Sequence, residues 1–183
     1  MGESTRRFDP ERKDRIIEAC LDVIAAKGVA GASHRVIAAA ANVPLGSMTY
    51  HFDGMADLLH QAFERYANRC VEAFAARMDE ATDEDGACEA VARHIETDLV
   101  STQRDLVINM ELYTIAARDH AYRDITERWM AASRAQLERF FDAPTAAMLD
   151  SLIEGLTLHR ALGDDSLGAG TVREAIRRIV RTA

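Results

Sequence analysis

Proline is scarce in this 183-residue chain, at Pro10, Pro44 and Pro144 only. Long helices can therefore run unbroken, and with no alternating β-branched run the expectation is an all-α fold without strands. Cysteine is scarce too. Cys20, Cys70 and Cys88 are odd in number and lie in apolar-periodic segments without metal-ligand spacing, so they read as buried, reduced thiols of a cytoplasmic protein, with no metal site. No run of 18 apolar residues occurs, and the start MGESTRRFDPERK has no apolar signal core, so neither membrane spanning nor secretion is expected. Enzyme signatures are missing as well. There is no Gly-x-Ser-x-Gly, no Gly-x-x-x-x-Gly-Lys and no His-Glu-x-x-His, so catalysis is not expected and no cofactor is implied.

What is present suits compact globular units: 48% apolar and 28% charged residues, with a net charge of −8. That charge argues against a nucleic-acid partner until its distribution is read. Residues 1–55 carry seven Lys/Arg and seven Asp/Glu, so all the excess acid lies beyond them. Screening confines each charge to a reach of about 8–10 Å, so a neutral, locally basic front end can still meet phosphates ahead of an acidic body.

Asp9-Pro10 reads as a helix start, and Ile16, Ile17, Cys20, Leu21 and Ile24 form one apolar stripe that Gly28 ends, giving a helix over about 10–27. Ser33 caps a short second helix through Ala41, Asn42 takes the turn in a left-handed conformation, Val43 plugs it, and Pro44 opens a short third helix. Two short helices joined by a tight turn and carried on a longer one make a helix-turn-helix unit. A long amphipathic helix follows Asp53-Gly54 and runs to Met78. Further helices are expected over about 87–101, 105–118, 120–142 and 145–162, and Thr171 is expected to cap a last one through Val180.

The block from Arg15 to Leu59 holds Lys27-Gly28, Arg35, Ile37-Ala38, Ala41-Asn42-Val43, the stretch Gly46-Ser47-Met48-Thr49-Tyr50-His51-Phe52, and Leu58-Leu59. This block resembles the DNA-binding domain of TetR-family repressors. Ala117-Arg118-Asp119, Trp129 and Ile153-Glu154-Gly155-Leu156-Thr157-Leu158-His159 extend the resemblance, which looks closest to the RcdA-like branch. It implies a helix-turn-helix DNA-binding domain over 1–54 and a helical ligand-binding and dimerisation domain over 55–183. It further implies a homodimer on a palindromic double-stranded DNA operator, acting as a repressor and controlled by a small organic effector.

Met48 and Phe52 share a face with Val43 and belong to the core, which leaves Leu45, Gly46, Ser47, Thr49, Tyr50 and His51 for DNA. Leu45 and the Thr49 methyl suit thymine methyl groups, Ser47 suits phosphate or a base edge, and Gly46 permits close approach. Tyr50 and His51 match family positions that hold phosphates, and Arg35, beside Ser33 and His34, matches one that reaches guanine or phosphate. The family's lysine at the fourth helix start is replaced by Met55, and Arg6, Arg7, Arg12 and Lys13 can compensate as a basic arm. Polar groups on apolar helices, Asn109, Glu111, Tyr113 and His159, with Tyr66 and Trp129, are the candidate effector lining. Leu149, Leu152, Ile153 and Leu156, with Ile176, Ile179 and Val180, are the candidate dimer interface, in stripes that also hold Met148 and Val172. The rival is a helical dimer that binds a ligand or partner protein and has lost DNA recognition.

Overall fold

The computed structural model describes residues 10–98, 101–163 and 169–181, and every regular element within them is helical. The chain divides into two compact units, Met1–Phe63 and Glu64–Ala183. In the first lie α1 (Arg12–Lys27), α2 (His34–Ala40), α3 (Gly46–His51) and the opening turns of α4 (Met55–Met78). α1 starts two residues after the expected Pro10, because the first helical carbonyl is that of Glu11, which accepts from Arg15 N at 2.9 Å. Asp9, Arg6 and Arg7 lie outside the described residues.

The turns are set by local backbone chemistry. Gly28 stops α1 at a φ of 69°, donating to Ile24 O at 2.8 Å, and a 3-10 turn, Val29–Gly31, follows. Ser33 caps α2 by accepting from Val36 N at 3.4 Å. At the other end Asn42 sits at a φ of 52°, while Val43 N donates to Ala38 O at 3.0 Å and Asn42 N to Ala39 O at 3.2 Å. This bond pair is the Schellman closure, which satisfies carbonyls that a helix end otherwise leaves open. Ile16, Leu21, Ile24, Ile37, Met48, Leu58 and Phe63, each under 2% exposed, form the core that this turn brings together.

The second unit holds the rest of α4 with α5 (Glu84–Arg93), a π-helical turn (His94–Asp98), α6 (Gln103–Arg118), α7 (Arg123–Leu137), α8 (Ala143–Leu162) and α9 (Ala169–Val180). α5 begins earlier than expected, since Asp83 Oδ1 accepts from Gly86 N at 2.8 Å and takes that glycine into the first turn. Thr102 caps α6 in the same way, accepting from Asp105 N at 3.1 Å. α7 ends five residues before the expected 142. Leu137 O accepts from both Phe140 N and Phe141 N at 3.0 Å, a tightening that turns Phe141 into the core, and Asp142 then caps α8 through Thr145 N at 2.8 Å. α9 opens at Ala169, ahead of the expected cap Thr171.

Phe74 and Met78 of α4, Val91 of α5, Leu149 and Ile153 of α8, and Val172 and Ile176 of α9 share one apolar core. This corrects the expected dimer interface: Leu149, Ile153 and Ile176, at most 5% exposed, are buried within their own chain. Of the expected interface residues, Leu152, Leu156, Ile179 and Val180 stay partly open around that core. The reason is helical periodicity: positions 149, 153 and 157 look inward, and 148, 152 and 156 lie a third of a turn away.

Asn42→Val should destabilise the chain by about 1–2 kcal/mol, the cost of a left-handed conformation for a β-branched residue. Asn42→Gly should stay within a few tenths of wild type. Urea unfolding of both variants checks this, and an unaffected Asn42→Val would mean that the turn is not held as described.

Candidate DNA interface and effector cavity

α3 has only six residues, so each side chain has a definite side. Met48 and Phe52 are 0% and 3% exposed, in the core as expected. Ser47 corrects the expectation: at 7% exposed it lies one residue from Met48 on the inner side and does not join the outer face. That face carries Tyr50, 81% exposed, and Leu45, 53% exposed. Large apolar surface stands open here on a helix otherwise well anchored, a mark of a contact surface.

Thr49 is exposed and its hydroxyl donates to Gly46 O at 3.3 Å, so its methyl group is left to face outward. A Cβ at Gly46 would meet nothing within 4 Å, so the protein itself does not require glycine there. Tyr50 and His51 meet edge to face at 4.8 Å. Arg35 and Ser33 are exposed on α2 and at its cap, while His34 is half-buried with a buried Nε2 lacking a hydrogen-bond partner. His51 is held below the ordinary histidine value by partial burial, then by the charges of Arg12 and Lys13. The second cause places both α1 cations beside the end of α3, and Lys13 Nζ also sits 5.7 Å from the Phe52 ring centroid. At the start of α4 an acid takes the capping role: Asp57 Oδ2 accepts from Asp53 N at 2.9 Å.

The second unit holds a partly open cavity of about 50 Å³ lined by Val71 and Phe74 of α4, His94, Asn109 and Tyr113 of α6, Trp129 of α7 and Asp150, Glu154 and Thr157 of α8, among others. One water needs on the order of 10–15 Å³ of such space, so the cavity as it stands admits a few waters. Asn109, Tyr113 and Trp129 are brought together here as expected, with the Tyr113 and Trp129 rings 9° from parallel at 6.4 Å. Tyr66 stands behind them, edge to face with Trp129 at 5.9 Å and donating to Asp105 O at 3.1 Å. Glu111 and His159 are not in the lining, and His159 is exposed.

Asp150 and Glu154 give the wall its charge. Asp150 is balanced by Arg134, whose Nη1 is 3.1 Å away. Glu154 instead stands by the Tyr113 hydroxyl, whose pKa burial first and then this carboxylate push up. His94 is 3% exposed and burial pushes it below the ordinary histidine value, against the opposing pull of Asp98. Burial also raises Asp98, but hydrogen bonds from Arg77 and Thr97 outweigh it and hold this carboxyl below its usual range.

His94, Asp150, Glu154 and Thr157 were missed as lining residues, although a signal existed. Asp150, Ile153, Glu154 and Thr157 recur at three- and four-residue steps, which sets two acids and a hydroxyl on one face of an otherwise apolar helix. The thiols of Cys20, Cys70 and Cys88 are unpaired by disulfides. Burial pushes them up to about 12, 11 and 11, so little reactive thiolate exists at neutral pH. Among the described residues no helix is long and apolar enough to cross a membrane.

Residues 16–62 match the family model for bacterial regulatory proteins of the tetR family, and residues 82–182 match that for tetracyclin repressor-like C-terminal domains. SCO7518 of Streptomyces coelicolor A3(2), ascribed a transcriptional-regulator role, is 51% identical over 93% of this chain and 99% of its own, with a TM-score of 0.88. The multidrug binding protein EbrR complexed with ethidium is 34% identical over 94% of this chain and 100% of its own, with a TM-score of 0.80. Its complex with proflavin is 33% identical over 93% and 100%, with a TM-score of 0.68. Among curated proteins none matches.

Because the folded chain disfavours a proton on His94 and the unfolded chain accepts it at the ordinary value of 6.5, stability is complete above pH 6.5. It should fall as pH drops through 6.5 towards the depressed folded value, by up to about 1.4 kcal/mol per pH unit. Urea midpoints between pH 7.5 and 5.5 should therefore decline more steeply for wild type than for His94→Gln. Parallel curves would contradict the buried, neutral imidazole.

Proposed function

Since the chain belongs to the TetR family of bacterial regulatory proteins, it is a DNA-binding transcriptional regulator and not an enzyme, and we propose that it represses from a palindromic operator as a cytoplasmic homodimer released by an organic cation. Residues 1–54 are assigned to operator binding and 55–183 to effector binding and dimerisation. The Pro44-Leu45-Gly46, Thr49 to Phe52 and Glu154-Gly155 stretches favour the RcdA-like branch.

The observation that carries the DNA reading is the outer face of α3, where Tyr50 is 81% and Leu45 53% exposed beside Thr49 and Gly46. On this reading Leu45 and the Thr49 methyl meet thymine methyl groups, Tyr50 and His51 hold phosphates, and Arg35, with Ser33 and His34 at the α2 start, reaches guanine or phosphate. Ser47 supports the helix from inside. Arg12 and Lys13, whose charges reach His51, supply cations that Met55 does not. Dimerisation falls to the half-open residues Leu152, Leu156, Ile179 and Val180, with Met148, 45% exposed, in place of the residues buried in the core.

For the effector, two findings converge. EbrR, one-third identical, is a multidrug binding protein with bound ethidium and proflavin, both aromatic cations. This chain sets Glu154 beside the parallel Tyr113 and Trp129 rings, which suits a flat cation by charge and by ring contact. A three-ring dye exceeds the roughly 50 Å³ of this partly open cavity, so on this reading its walls part to admit the ligand. α4 lends Val71 and Phe74 to those walls and also carries Leu58 and Phe63 of the first core, so moving it repositions the reading helices. An effector that favours the displaced state by a few kcal/mol is then sufficient to empty the operator.

Selection of duplexes from a random pool at about 100–150 mM salt, where non-specific phosphate binding is already weak, should enrich a palindrome. Arg35→Ala and Tyr50→Ala should each lose roughly five- to hundredfold in affinity for it, for contacts of about 1–3 kcal/mol, with the circular dichroism and dimer mass unchanged. Failure of folded, dimeric protein to enrich any duplex would favour the partner-binding alternative. Ethidium should bind and release the duplex, and Glu154→Gln should weaken ethidium by roughly tenfold or more, a charge-assisted contact being lost; an equal affinity for both proteins would remove Glu154 from the site.

A further inference from the structure

Two buried polar atoms in the cavity wall lack a hydrogen-bond partner, Thr157 Oγ1 and His94 Nδ1. Helical hydroxyls usually return to a carbonyl of the preceding turn, as Ser151 does to Ala147 O at 3.0 Å and Thr126 to Arg123 O at 2.9 Å. Thr157, 4% exposed, makes no such bond, so a costly unpaired hydroxyl is kept at the cavity surface. His94 is held firmly. Its ring lies on Phe74 at 4.5 Å, and its Nδ1 is 3.4 Å from Asp98 Oδ2, close enough for an electrostatic contact but without hydrogen-bond geometry. Arg77 fixes that carboxylate with two bonds, Nη2 at 2.8 Å and Nε at 3.0 Å.

A carboxylate facing Nδ1 favours the tautomer protonated there, which leaves Nε2 as an acceptor. The other charged and titratable groups of the wall are Glu154, beside the Tyr113 phenol, and Asp150, paired with Arg134. Besides these acidic and aromatic groups the wall thus offers a neutral imidazole and an unbonded hydroxyl.

We propose that His94 and Thr157 form a hydrogen-bonding subsite of this cavity, one that selects planar aromatic cations bearing N–H groups over similar cations whose nitrogens are fully alkylated. The inference rests on the cation reading above. Coulombic attraction to Glu154 is equal for both kinds of cation, so it gives affinity without choosing between them. The choice comes from the imidazole acceptor and the buried Thr157 hydroxyl, which gain a bond from a ligand N–H and none from a fully alkylated nitrogen. Burial keeps the imidazole neutral at pH 7, as an acceptor must be.

The probes are proflavin, with two free amino groups, and acridine orange, the same three-ring cation with those nitrogens dimethylated. Both are titrated by fluorescence against the full-length protein at pH 7.5. Wild type should prefer proflavin by roughly tenfold, the order expected for one or two hydrogen bonds in a dry site. Thr157→Val, which keeps the shape, and His94→Leu should each cut that preference several-fold while leaving acridine orange within about twofold. Should His94→Leu melt at the assay temperature, Thr157→Val alone decides. Glu154→Gln should weaken both dyes together. Wild type without a preference, or variants that keep it in full, would overturn the subsite and leave the cation site standing. Binding of neither dye to wild type would overturn both.

Discussion

A helix of 24 residues, α4 (Met55–Met78), must bury one stripe along its whole length, and the rest of the structure depends on how that is done. Leu58, Ala62 and Phe63 are each fully buried in the first unit, and Phe74 and Met78 are 3% and 0% exposed in the second. Burying a large apolar side chain is worth about 1.5–3 kcal/mol, so neither end of the stripe can turn to water without losing a substantial part of a domain's net stability. The helix is therefore committed to both cores by the same repeat.

Polar chemistry is arranged around that constraint. Arg77, also on α4, holds Asp98, and Asp98 faces His94, so the π-helical turn is tied to α4 by charge as well as by apolar contact. Arg173 of α9 likewise holds Glu89 and Glu96 at 2.9 and 2.7 Å, and Arg139 holds Asp79 at 2.7 Å. Four of the 30 acids are thus answered by arginines distant in the chain. Surface pairs of this kind contribute little to stability individually, and their role here is to fix which acid remains to act. Glu154 stands beside the Tyr113 phenol.

The helices were largely legible in the sequence because their signals are local. Gly28, Ser33 and Asn42 each mark a boundary through φ or through a capping oxygen, and the structure places a φ of 69° at Gly28 and of 52° at Asn42. Boundaries went astray where a helix end is settled by a distant contact: nothing near residue 137 in sequence says that Phe141 must turn inward to complete a core shared with Val91 and Ile176. Ser47 shows the same limit on a smaller scale. On six residues, one step of 100° separates the outer face from the inner one, and which step falls inside depends on how α3 rests on its neighbours.

By itself the amino-acid order determined the all-helical class, the helix-turn-helix at the front and the family, because repeat spacing, caps and a contiguous motif survive without knowledge of contacts. Tertiary structure alone decided which apolar stripes are core and which stay partly open, since Leu149 and Leu152 are equally apolar and differ only in direction. It also decided the cavity. His94, Asn109 and Thr157 are far apart in the chain and come to line one cavity only when four helices and a π-helical turn gather around the same small space.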